Sequence, residues 1–98
     1  MNANEYINGM ADLIRTTSAE YVKVEDIDGK KRIAAKFHSV SEMNSEMKKA
    51  FIANAETLKA LNAGLKVLRA SGEIKSATNC WAPTLLEGGI ELRMDFGF

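Results

Sequence analysis

The chain has one cysteine, one histidine, one proline and no net charge, and each shortage removes a class of protein. A lone Cys80 forms no intrachain disulfide. Small secreted domains usually need such staples, so the composition points to a reducing, cytoplasmic setting. One cysteine and a single His38 leave no set of nitrogen and sulfur ligands for a metal. A single proline and seven glycines exclude collagenous and low-complexity chains. No apolar run is long enough to cross a bilayer. The first fifteen residues carry Glu5 and Asp12 and no basic stretch before an apolar one, unlike a signal peptide.

Thirteen basic residues balance thirteen acidic ones. This excludes a basic nucleic-acid arm or an acidic tail as a property of the whole chain. The sequence pI near 6.6 also disfavours nucleic acid as the partner. Ninety-eight residues support one modest core, and a single domain over 1–98 is expected.

The pattern of what is present predicts an α+β fold. Tyr6, Ile7, Met10, Ala11, Leu13 and Ile14 recur at helical spacing, with Asn2 or Asn4 as the cap and Thr16-Thr17-Ser18 as the stop. Asp28-Gly29 is a two-residue turn signal. Building outward sets Ile27 opposite Lys30, Val24 opposite Ile33 and Val22 opposite Ala35. One face then carries Val22, Val24, Ile33, Ala35 and Phe37, the other Tyr21, Lys23, Arg32 and Lys36. Ser39 with Glu42 forms a capping box ahead of a long amphipathic helix, and Gly72 follows its end. Unbroken from Val40 to Ala70, that helix would run about 45 Å, longer than a compact domain of this size. Either Asn62-Ala63-Gly64 breaks it or a second chain covers the overhang. Residues 90–98 alternate as a strand. Gly88-Gly89 as the turn would set Leu85 opposite Leu92 and Trp81 opposite Phe96, with Pro83 confining that partner strand to an edge. The expected architecture is a short N-terminal helix, a β-hairpin, the long helix and a C-terminal hairpin, with one antiparallel sheet lying on the long helix.

Catalytic signals are missing. Asn79-Cys80-Trp81 matches no cysteine-enzyme motif, and nothing in the sequence brings His38 to Cys80. Asp26-x-Asp28 opens like a calcium loop, but Lys30 and Phe37 stand where ligands belong. Gly88-Gly89 lacks the lysine and the helix of a phosphate loop. The chain is therefore expected to be a non-catalytic binding protein without cofactor or metal.

Charge is unevenly placed. Residues 1–29 hold two basic and six acidic groups, residues 30–75 ten and four, and residues 76–98 one and three, giving −4, +6 and −2. On an unbroken helix Lys48, Lys59 and Lys66 fall within about 20° of one another over roughly 27 Å, with Arg69 to one side. Lys30, Lys31 and Arg32 on the hairpin extend the basic surface. These residues are the expected contacts to a macromolecular partner, foremost a protein with an acidic face. The apolar stripe Met43, Met47, Phe51, Leu58, Leu61, Leu65 and Leu68 exceeds what two short hairpins cover. It predicts a homo-oligomer, a dimer foremost, with the strand ending in Phe98 as another route to sheet-edge pairing. Small inhibitors and accessory proteins, those of phages among them, share this profile. The alternative is a small anionic ligand or nucleotide held at a subunit interface.

Overall fold

The computed structural model describes residues 1–78 and 83–98. Along the chain run α1 (Ala3–Ile14), β1 (Tyr21–Ile27), β2 (Lys30–Phe37), α2 (Val40–Ala53), α3 (Ala55–Ala70), β3 (Ser76–Ala77), β4 (Thr84–Leu86) and β5 (Gly89–Gly97). The fold is α+β. The strands form one antiparallel sheet in the order β1-β2-β5-β3, with β4 also paired to β5.

Local chemistry sets the boundaries. Asn2 caps α1 in a full capping box: its Oδ1 accepts from Glu5 N at 2.8 Å, and Glu5 Oε1 accepts from Asn2 N at 3.0 Å. Thr16 and Thr17 end the helix by donating their hydroxyls to the carbonyls of Leu13 and Ile14. Asp28 and Gly29 both have positive φ, +49° and +76°, the two-residue turn whose twist suits a hairpin. The β1–β2 register is the one the alternation predicts, from Ile27↔Lys30 to Val22↔Ala35.

Two expectations fail for identifiable reasons. The long helix is two helices, and the break lies at Asn54, not at Gly64. Asn54 leaves the helical region at φ −116°, ψ 35°. Its backbone N–H and its Nδ2 both donate to the Ala50 carbonyl, and the ladder restarts with Leu58 N donating to Asn54 O. A side-chain amide that competes for a carbonyl one turn back is a known helix disruptor. Gly64 sits inside α3, where a Cβ would come 2.6 Å from the Met1 sulfur. The C-terminal hairpin also differs: its turn comes one residue earlier, at Glu87-Gly88, which moves the strand pairing by two residues. Gly88 carries the positive φ, and Leu86 pairs with Gly89, so Leu85 faces Ile90 and not Leu92. A shift of two residues keeps Leu85 on the face shared by Ile90 and Leu92, yet Leu85 at the hairpin is 84% exposed while Ile90 and Leu92 are buried. The proposed Trp81–Phe96 pairing, like Cys80, lies outside the described residues; Phe96 pairs with Ala77 of β3.

The core also differs from the expected layering. The short α1, not the long helical segment, is the hub. It packs on β1 and β2 with one side and on α2 and α3 with the other. Tyr6, Ile7, Met10, Ala11, Leu13 and Ile14 are all buried. Tyr6 meets Phe96 of β5 edge-to-face, with ring centroids 5.5 Å apart at 80°. Gly9 lets Leu61 of α3 approach: a Cβ there would lie 2.9 Å from Leu61 Cδ2.

Candidate functional site

The sheet turns one face to the helices and the other to solvent. On the solvent face the strand registers place charges in rows. Arg32 of β2 lies beside Asp95 of β5 and clamps it with Nε at 2.7 Å and Nη2 at 3.1 Å. Glu91, the one buried charged residue among those described, accepts from Arg93 Nε at 2.7 Å and from the Tyr21 hydroxyl. Lys23 stacks over the Tyr21 ring at 4.5 Å and pairs with Glu25; Lys36 pairs with Glu20. The Arg32 guanidinium holds the Asp95 carboxyl below its ordinary range. Burial alone would raise Glu91, but the Tyr21 and Arg93 hydrogen bonds outweigh it and hold that carboxyl low as well. Donating to Glu91 pushes the Tyr21 hydroxyl up to about 12.

The helical layer is arranged otherwise. The α1–β1 connection docks on α2 through its acids: Ser18 N donates to Glu46 Oε1 and Ser18 Oγ to Glu42 Oε1, both at 2.7 Å. That hydrogen bond to Ser18 N holds Glu46 below its ordinary value. It also takes up Glu42, so Ser39 caps α2 by accepting from Glu42 N without the return bond of a full capping box. Glu42 and Glu46 are thereby engaged by Ser18, and Glu46 also pairs with Lys49 at 3.6 Å. Lys48, Lys59, Lys66 and Arg69 are exposed, and among the described residues none has an ion-pair partner. Lys59 and Lys66 share one face of α3, seven residues apart. Lys48 stands on α2, and the break at Asn54 resets the helical phase, so the three do not form the single straight line the sequence predicts. Lys48 instead lines an open groove of about 550 Å³ with Asn44, Phe51, Ile52 and Ala55.

The hairpin cations are placed differently. Arg32 is occupied by Asp95 and Lys31 pairs with Asp26 at 3.7 Å; Lys30 at the turn is exposed. A recess of about 240 Å³ beside Lys30 and Arg32 is also lined by Asp28 and Asp95, carboxylates that oppose an anionic ligand.

Of the expected oligomer stripe, Met43, Met47, Leu61 and Leu68 are buried in this chain's own core. α1 supplies the cover that the sequence reading assigned to a second chain. Phe51, Leu58 and Leu65 are partly exposed at the edge of that core. Sequence reasoning missed Ile52 and Val67, 68% and 67% exposed; both fall off the apolar stripe. The strand ending at Phe98 is not an open edge, because β5 is paired with β2 on one side and with β3 and β4 on the other.

Among the described residues no group of three or more His, Cys, Asp or Glu side chains is placed to hold a metal ion. No helix there is long and apolar enough to cross a membrane. No family model, no curated protein and no solved structure matches this chain.

Proposed function

We propose that the protein is a non-catalytic binding module, of inhibitor or accessory type, that engages an acidic surface on another protein through α2 and α3. The observation that carries this reading is the contrast in how cations are used. On the sheet, Lys23, Lys31, Arg32, Lys36 and Arg93 each have a carboxylate partner within the fold. On α2 and α3, Lys48, Lys59, Lys66 and Arg69 are exposed with no such partner among the described residues. Exposed cations around Ile52 and Val67 suit a rim that steers an acidic partner onto a small apolar contact. A protein partner is preferred to nucleic acid because the net charge is zero and the sequence pI is near 6.6.

The test is affinity capture with the wild-type chain, followed by a measured Kd for the protein recovered. The Lys48→Glu/Lys59→Glu/Lys66→Glu variant is expected to weaken that Kd by ~10- to 100-fold, with the loss in the association rate and steep in salt. An unchanged Kd places the contact elsewhere and ends this reading. Tighter binding to mixed-sequence duplex DNA than to any recovered protein would replace it with a phosphate-directed one.

A further inference from the structure

β1 is a seven-residue strand whose only strand neighbour among the described residues is β2. The Asp28-Gly29 turn makes Ile27 and Lys30 a hydrogen-bonded pair, and such pairs recur at every second residue. Tyr21, Lys23, Glu25 and Ile27 therefore direct their N–H and C=O groups to β2, while Val22, Val24 and Asp26 direct theirs away from the sheet. Arg15 Nη2 donating to the Val22 carbonyl at 3.4 Å agrees with this and covers one acceptor. Among the described residues the remaining outward backbone groups have no partner.

Exposed edges are ordinarily blunted by proline, by a bulge or by charges that repel a second strand. β1 contains no proline, and its register runs from Tyr21 to Ile27 without a bulge. The two charges on its solvent face, Lys23 and Glu25, have opposite signs.

We propose that β1 pairs antiparallel with β1 of a second copy of this chain, about a twofold axis at Val24, joining two sheets into one. In that register Val24 lies opposite the partner's Val24, and Val22 opposite the partner's Asp26. These are the residues whose backbone groups point outward, so they form the hydrogen-bonded pairs. The close, non-hydrogen-bonded pairs fall on the solvent face. There Lys23 meets the partner's Glu25, and Tyr21 meets the partner's Ile27, an opposite-charge pair and an aromatic–β-branched pair, each favourable across strands. Symmetry repeats both. Sliding the strands by two residues in either direction sets Lys23 against the partner's Lys23 or Glu25 against the partner's Glu25. The charge pattern thus selects one register and one partner. This contact is separate from the α2–α3 surface, so either reading can fail without the other.

Sedimentation across a concentration series tests it with two charge variants. Lys23→Glu alone sets Glu against Glu at both sites of a homodimer, and Glu25→Lys alone sets Lys against Lys. Each variant alone is expected to weaken self-association by ~10-fold or more. An equimolar mixture is expected to form a heterodimer with both opposite-charge pairs restored. A Val24→Pro chain, which loses an outward N–H and none of the β1–β2 bonds, is expected to be monomeric with an unchanged far-ultraviolet spectrum. A wild-type chain that stays monomeric to high micromolar concentration overturns the proposal. So does a dimer that both charge variants leave intact, or a mixture that fails to associate.

Discussion

The solvent face of the sheet and the outer face of α2 and α3 are both charged, yet they are built for different ends. On the sheet Lys23, Lys31, Arg32, Lys36 and Arg93 each sit beside an anion: Arg32 clamps Asp95, and Arg93 with Tyr21 holds Glu91. Side chains there are half-buried by their neighbours, so the charges stabilise the fold that carries them. On the helices the acids Glu42 and Glu46 turn to Ser18, and Lys48, Lys59, Lys66 and Arg69 extend into water. A charge without an internal partner contributes little to folding and is available to something outside. A net charge of zero therefore conceals a division between a sheet face that is neutralised internally and a helical face that is not.

The division is broken most severely at Glu91. Glu91→Ala leaves the Arg93 guanidinium and the Tyr21 hydroxyl without their acceptor on a partly buried surface. Such a loss costs about 2 kcal/mol, and an urea titration should show the midpoint fall with the slope unchanged. A variant as stable as wild type would mean that the network is decorative. The pH dependence gives a milder form of the same break. Asp95 and Glu91 are held below their ordinary values, so the folded state binds these protons less readily than the unfolded chain. Their contribution is complete above about pH 4.5 and is lost as the pH falls through the lowered folded-state values. Tyr21 acts in the opposite sense. Its hydroxyl is pushed up to about 12, so its contribution is complete below about pH 10 and is lost as the pH rises from there towards about 12. Denaturant midpoints across both ranges, with tyrosinate absorbance on the alkaline side, check both limbs. A Tyr21→Phe chain should lose the alkaline limb that this hydroxyl supplies.

The sheet side of this comparison was readable in the sequence and the helical side only in part. Asp28-Gly29 with the flanking alternation determines the β1–β2 register residue by residue, because turn type and hydrophobic pattern agree. The second hairpin turns one residue earlier than expected, and its pairing shifts by two, because Gly88-Gly89 offers two glycines and the chain places its positive φ at only the first. Propensity alone points to Gly64 as the helix break. The structure breaks at Asn54, where a side-chain amide reaches the Ala50 carbonyl, a competition that a propensity scale does not locate. The lysines of α2 and α3 were identifiable as exposed, but their lack of partners depends on where Ser18 draws Glu42 and Glu46. Those contacts join residues 24 and 28 positions apart, beyond any local pattern. The role of α1 as the hub was likewise hidden: its apolar spacing shows that it is amphipathic, not that both flanks of its buried face are used.

The smallest expected effect sharpens the comparison most. Lys48→Ala, Lys59→Ala and Lys66→Ala remove exposed side chains with no internal ion pair, so each should change folding stability by less than about 0.5 kcal/mol. Alanine also favours the helix slightly over lysine, which offsets any lost contact of the aliphatic stem. A near-zero result would separate this face from the sheet face, where a single removal is costly. It would also make these substitutions clean probes of binding, because a weakened partner interaction could not be attributed to an unfolded chain. A destabilisation of a full kcal/mol at Lys59 or Lys66 would show that α3 uses its cations internally after all, and would withdraw them from the proposed contact surface. Thermal and urea unfolding of the three single variants distinguishes these outcomes before any partner is known.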